Sequence, residues 1–133
     1  MTPDQLRERF AAFAAQVDAF AAPLLASPVT RNSADQLMRS SSSAAQHHRA
    51  AGRARSHAEF TAKIGVALEE ADEALAWAQH LVRCGRATLR EAEPIISEAQ
   101  ELVSILTKSC KTARANEDDR RDLDRARRRP CRR

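Results

Sequence analysis

A chain of 133 residues holds one small domain, which excludes a barrel enzyme or a pair of full-sized domains. Alanine supplies 27 of its apolar residues and large side chains another 27, so the core is thin and favours slender packed helices or burial against another subunit. The net charge of +4 is unevenly placed: residues 1–113 carry 13 basic and 13 acidic side chains, while residues 114–133 carry 9 and 5.

Thr2-Pro3-Asp4-Gln5 predicts a helix start, with a capping hydroxyl, a proline suited to the first helical position and a Gln able to bond back. Leu6, Phe10, Phe13, Val17, Phe20 and Leu24 then recur at steps of 4, 3, 4, 3 and 4, the narrow seam of a bundle helix. Pro23 predicts an end or bend in its last turn, and Ser27-Pro28 a short loop.

Ser33-Ala34-Asp35-Gln36 repeats the capping signature and predicts a second helix running to about Ala51, before Gly52. Its inner face is poor in apolar bulk. Leu37 and Met38 are followed by Ser40 to Ser43, Ala44 and Ala45, small residues that let a neighbouring helix approach closely. A flexible linker is the competing reading of the serine run, and the absence of Gly and Pro favours helix.

Ser56-His57-Ala58-Glu59 predicts the third helix, which stops near Gly85. Phe60, Ile64, Leu68, Ala71, Leu75, Ala78 and Val82 form its main predicted seam. Trp77 lies about 200° around from Leu75 and joins Val66, Ala74 and Leu81 on a second stripe. Two readings of that stripe stand: a second neighbour within the chain, or a subunit contact at Val66, Trp77 and Leu81. Thr88-Leu89-Arg90-Glu91 opens the fourth helix, whose seam is Ala92, Ile96, Ala99, Val103, Leu106 and Cys110, with Pro94 an irregularity near its start. Four helices of about twenty residues with short connections predict an all-α, antiparallel, up-down-up-down bundle over residues 1–113. Residues 114–133 form an Arg-rich tail, read either as a solvated end or as an extension of the fourth helix up to Pro130.

Cys84, Cys110 and Cys131 are odd in number and form no C-x-x-C pair, which points to a reducing, cytoplasmic setting. No positive segment precedes the Ala/Phe stretch from Phe10 to Ala26, and no run of 18 apolar residues occurs, so neither a signal peptide nor a membrane span is expected. His47 and His48 diverge by about 100° on a helix and cannot share a metal, and no Cys or acid occurs between residues 36 and 58; one is expected to point inward as a hydrogen-bonded neutral imidazole and the other to face solvent. Glu-x-x-His, the di-iron signature of bundles, is missing, as are the P-loop, nucleophile-elbow and zincin motifs. No catalytic residue, metal or cofactor is assigned, and an enzyme is not expected.

Charge is segregated. Residues 36–63 hold Arg39, Arg49, Arg53, Arg55 and Lys63 against Glu59, whereas Glu69, Glu70, Asp72 and Glu73 follow within five residues. Arg39, Gln46, Arg49 and Arg53 share one helical face as a candidate basic strip. It serves either to contact phosphate or to pair with the acidic block, within the chain or across an interface. Arg125, Arg127, Arg128 and Arg129 extend the candidate nucleic-acid surface into the tail, where binding would be electrostatic and without sequence reading. No aromatic residue occurs in 78–133, which argues against recognition by base stacking there.

Gln36-Leu37-Met38-Arg39-Ser40, Ser43 through Arg49-Ala50, Arg53-Ala54-Arg55-Ser56-His57-Ala58-Glu59-Phe60, Lys63, Glu69 through Glu73 and Trp77 together resemble the bacterial four-helix-bundle proteins related to those encoded within 23S ribosomal RNA intervening sequences. The resemblance spans about residues 4–113, with His47-His48 where many relatives carry Asn-Tyr, and the Arg-rich tail lies outside it. It implies a ring-shaped homopentamer. A relative of the family, the accessory variability determinant of diversity-generating retroelements, is a basic pentameric bundle that binds nucleic acid and its reverse transcriptase. The expectation is therefore a non-enzymatic, self-associating protein bound to RNA or DNA through phosphate contacts or acting as an adaptor. The alternative is a protein-interaction module with no nucleic-acid role.

Overall fold

The structure, a computed structural model, describes residues 1–131. Among them are four α-helices and no strand: α1 (Pro3–Ala21), α2 (Arg31–Ala51), α3 (His57–Arg83) and α4 (Leu89–Arg128), with a short 3₁₀ turn at Ala22–Ala26 between α1 and α2. Each helix packs on two others. α1 lies beside α2 and α4, α3 lies beside α2 and α4, and the backbones of the diagonal pairs stay more than 8 Å apart at Cα, which is the cross-section of a four-helix bundle. α2 against α3 is the most extensive of these contacts and α1 against α4 the thinnest.

Local chemistry sets the helix ends. At α1, Thr2 Oγ1 accepts from Gln5 N at 3.1 Å while Thr2 N donates to Gln5 Oε1 at 2.9 Å, satisfying two otherwise free donors. Ser56 and Thr88 cap α3 and α4 by accepting from Glu59 N and Glu91 N, both at 3.1 Å. Each such cap contributes about 1 kcal/mol. The Glu59 carboxylate turns back to Arg55 N at 3.1 Å, one residue beyond the reciprocal partner of a full capping box. α3 stops at a Schellman turn: Gly85 takes φ +70°, Arg86 N bonds Leu81 O at 2.9 Å and Gly85 N bonds Val82 O at 3.0 Å. A left-handed residue is required there, and glycine adopts it without strain.

The start of α2 differs from the sequence reading. Helix begins at Arg31, before Ser33, because Ser27 and Pro28 nucleate it: Ser27 O receives Thr30 N at 3.2 Å and Arg31 N at 2.9 Å. Thr30, instead of capping, donates its hydroxyl to Leu24 O at 2.6 Å and ties the turn to the 3₁₀ segment. Pro23 ends the α-helical geometry of α1 as expected, and the serine run is helical. Ser40 and Ser41 are buried, with hydroxyls donated to Gln36 O at 2.8 Å and Met38 O at 3.0 Å, so their polarity is absorbed by their own helix.

Phe10, Phe13 and Val17 of α1, Leu37 of α2, Ile64 and Leu81 of α3 and Ile95, Leu102 and Leu106 of α4 are the bulky members of the core. Burial of each such side chain contributes about 1.5–3 kcal/mol. Alanine fills the space between them, at Ala67, Ala71, Ala74 and Ala78 on α3 alone. Two predicted seams are rotated slightly. On α4 the buried positions are Ile95 and Leu102, with Ile96 and Val103 on the flank; on α3, Ala67, Ala74 and Leu81 replace Leu68, Leu75 and Val82. Leu81 and Ala74, assigned to a second stripe, therefore belong to the core of the single chain. Val66 and Trp77 are half-buried, and Trp77 packs against the edge of that core.

α4 continues well past the body. Ala113 is its last buried residue, and the 15 residues from Arg114 to Arg128 add about 22 Å of helix, nearly all of it exposed. The tail is thus a helix extension through Arg128, with Arg129, Pro130 and Cys131 beyond its end. Arg132 and Arg133 lie outside the described residues. No helix among the described residues is long and apolar enough to cross a membrane.

Candidate nucleic-acid interface

The end of α2, the turn at residues 52–56 and the first two turns of α3 enclose an open cleft of about 590 Å³. Gln46, Arg49, Ala50, Arg53, Arg55, Glu59 and Lys63 line it, four cations to one carboxylate. α2 places Arg49 and Arg53 four residues apart on one side of the cleft, and α3 places Glu59 and Lys63 at the same spacing on the other. Arg55 comes from the turn between them. Among the described residues, none of the four cations has a carboxylate within 4.0 Å; the ion pairs are Arg7–Asp4, Arg9 with Glu98 and Glu101, Arg39–Asp35 and Arg121–Glu117. Glu59 accepts the Arg55 backbone N–H at 3.1 Å, which orients its carboxylate and leaves its negative charge in the cleft.

Four cations and one carboxylate leave this concave, solvent-open surface with a net charge of +3, an electrostatic character that suits a multivalent anion. The cleft lacks the apolar walls of a small-molecule pocket, and its guanidinium groups are suited to bidentate contact with phosphate oxygens.

Arg39 does not belong to this cleft. It sits nearer the start of α2, three-quarters exposed, and its Nε lies 3.1 Å from Asp35 one turn earlier. Lys63 completes the site and was not among the residues selected from the sequence; its position four residues after Glu59 on the opening turns of α3 was the available signal. The basic end of α2 makes no ion pair with Glu69, Glu70, Asp72 or Glu73, so that pairing does not occur within the described chain. The acidic block instead repels itself: burial pushes the Glu70 carboxyl up, with Glu73 and Glu69 adding to the effect and His47 opposing it.

His47 and His48 are both half-buried, so they do not divide between surface and interior as the sequence predicts. His48 stacks on Phe10 at a centroid distance of 4.5 Å, and its buried Nδ1 has no hydrogen-bond partner. Desolvation, with the charge of Arg7 added, holds its pKa below the ordinary 6.5. It is His47 that is hydrogen-bonded, through Nδ1 to Ser43 O at 2.9 Å. Trp77 donates Nε1–H to Glu73 at 3.2 Å and meets His80 edge-on at 5.7 Å, while its half-buried ring packs against the edge of the core. Cys84 and Cys131 are exposed and Cys110 is buried. No three His, Cys, Asp or Glu side chains converge on a metal-sized site among the described residues.

The architecture is that of a small all-helical bundle with one end strongly basic. A solved structure with a similar fold is a protein of unknown function from the S23 ribosomal protein family of Bacteroides thetaiotaomicron VPI-5482: the two superpose with a TM-score of 0.74 and 26% identity, over 80% of this chain and 98% of that one. No protein-family model matches the chain, and no curated protein matches it either.

Proposed function

We propose that this chain is a non-enzymatic, nucleic-acid-associated adaptor of the 23S ribosomal RNA intervening-sequence type, an antiparallel up-down-up-down bundle that works in the cytoplasm as a homo-oligomer. The observation that carries the reading is the cleft of Arg49, Arg53, Arg55 and Lys63, whose cations have no carboxylate partners. Repetition of that cleft around a ring, a pentamer by the resemblance, would multiply the field of one chain and hold phosphates without reading base sequence. The likeness to a protein of a ribosomal family supports RNA as the first polyanion to test. In a gel-shift assay at low salt, R49E/R53E should abolish the shift of labelled RNA and DNA fragments while helicity is retained; an unchanged shift refutes the assignment of the cleft.

A second reading, a protein-interaction module, is favoured by the half-buried Val66 and Trp77 beside the unpaired Glu69 to Glu73 block. Such a face suits contact with a basic partner or another subunit. Trp77→Ala should then lower the particle mass in light scattering, and an unchanged mass assigns the indole to the surface of the single chain.

A further inference from the structure

We infer that the cavity beside the start of α1 is a binding site for a small apolar monocarboxylate, an apolar body carrying one negative charge. The cavity holds about 370 Å³, and all four helices line it. Leu6 of α1, Phe60 and Ile64 of α3 and Ile105 of α4 give it apolar walls; Arg7, His48 and Ser109 supply its polar groups. It shares no lining residue with the basic cleft, so this inference goes beyond the phosphate-binding reading and is tested apart from it.

The walls set the body of the ligand. Ile64 is buried, whereas Leu6, Phe60 and Ile105 are only half-buried and keep apolar surface that the fold of the single chain does not cover. Contact with an apolar molecule would remove that surface from water. Sites for small molecules in bundles lie between helices and run from roughly 300 to 1,000 Å³, so this cavity stands at the small end, with room for about a dozen heavy atoms.

The polar groups set its charge. His48 has one face on Phe10 and its Nδ1 buried without a partner. An orphaned N–H is costlier to bury than an orphaned lone pair, so the proton of the neutral ring belongs on Nε2, which is left to donate to a ligand. Arg7 is the one lining side chain with a fixed charge, and no acidic side chain lines the cavity. Its Nη2 lies 2.6 Å from Asp4 Oδ1, but with the two side chains 45% and 83% exposed that pair is weak and leaves other guanidinium N–H groups available. Ser109 adds a hydroxyl. Donors with one cation among them select a singly charged acceptor, and the apolar walls disfavour an anion of higher charge.

The test is NMR of the full chain with labelled isoleucine δ1 methyls. Ile64 and Ile105 line the cavity, while Ile95 and Ile96 do not and serve as controls in the same spectrum. Titration with 3-phenylpropionate should move the Ile64 and Ile105 signals saturably and leave the other two in place, with a Kd of about 0.1–1 mM, ordinary for a ligand of about a dozen heavy atoms. The amine of the same body, 3-phenylpropylamine, should bind at least about tenfold more weakly. Arg7→Gln should weaken the carboxylate about tenfold, and His48→Phe, which keeps a ring against Phe10, about threefold or more. Ile105→Trp should fill the cavity and abolish the response of Ile64. No saturable movement, equal movement of all four methyls, an amine that binds as well as the carboxylate, or unchanged affinity in Arg7→Gln or His48→Phe overturns the inference. A fall in particle mass for Ile105→Trp would make the cavity a contact between copies and also overturn it. Each of these outcomes leaves the assignment of the basic cleft standing.

Discussion

Ser41 offers a sharp test of how a core so poor in bulk is held together. The residue is fully buried on α2, the helix that packs most extensively on the alanine-lined α3. Its hydroxyl donates only to Met38 O, an acceptor that already belongs to the helix ladder. Ser41→Ala therefore leaves no orphaned group: about 1 kcal/mol of hydrogen bond is lost, and about 0.5 kcal/mol of helix propensity is regained. The net change should lie within about 0.5 kcal/mol of zero. Ser41→Leu forces extra carbon atoms between two helices spaced for small side chains, at a cost of about 1–3 kcal/mol. Urea denaturation followed by Trp77 fluorescence, the chain having one tryptophan, reads both. With a urea dependence of about 1.5 kcal/mol/M, the leucine variant should unfold about 1 M earlier and the alanine variant within about 0.3 M of the parent. A large loss in Ser41→Ala, or none in Ser41→Leu, refutes the argument that small size, not polarity, is what this position supplies.

The depressed pKa of His48 makes the fold sensitive to acid. The unfolded chain takes up a proton near 6.5 that the folded chain resists, so stability is full above that pH and falls as the pH drops below it, until the folded imidazole also protonates. Denaturation midpoints measured from pH 8 to pH 5 should show this loss, and His48→Phe, which keeps a ring against Phe10, should flatten it. Arg9 bridges the thin α1–α4 contact, with Nε 2.8 Å from Glu98 Oε1 and a second contact to Glu101. A double-mutant cycle with Arg9→Ala and Glu98→Gln should give a coupling of about 0.5–1 kcal/mol that shrinks in high salt. Thiol titration with an aromatic disulfide should find Cys84 and Cys131 fast; Cys110, buried and with its pKa pushed up by that burial, should react only on unfolding.

Helix starts were legible in the sequence wherever a cap acts through its own neighbours, as at Thr2, Ser56 and Thr88. The start of α2 was not, because Ser27-Pro28 reads as a loop while Ser33-Ala34-Asp35-Gln36 carries the capping signature, and the turn that starts the helix earlier is held by the Thr30 hydroxyl on Leu24 O six residues back. The seams were legible to within one residue. Where apolar neighbours stand side by side, as Ile95 with Ile96 and Leu102 with Val103, the 3.6-residue period admits either, and packing against the other helices decides. Arg49 and Arg53 were readable as one face because they share a helix. Lys63 was counted in the basic segment but not among the contact residues, because its approach to Arg49 and Arg53 depends on how the turn at 52–56 sets α3 against α2. Arg39 was included on periodicity alone, yet ten residues separate it from Arg49, about 15 Å along the helix, and Asp35 claims it first.

The most direct test of phosphate binding at the cleft is the salt dependence of RNA affinity for the parent chain and for R49E/R53E. For the parent, log K should fall linearly with log salt, with a slope of about −0.9 per duplex phosphate neutralised, so engagement of Arg49, Arg53, Arg55 and Lys63 contributes about −3.6 and any contact by the tail arginines adds to it. The variant should lose about two units of that slope together with most of its low-salt affinity. Identical slopes for the two proteins would contradict the account and move the phosphate contacts away from the cleft.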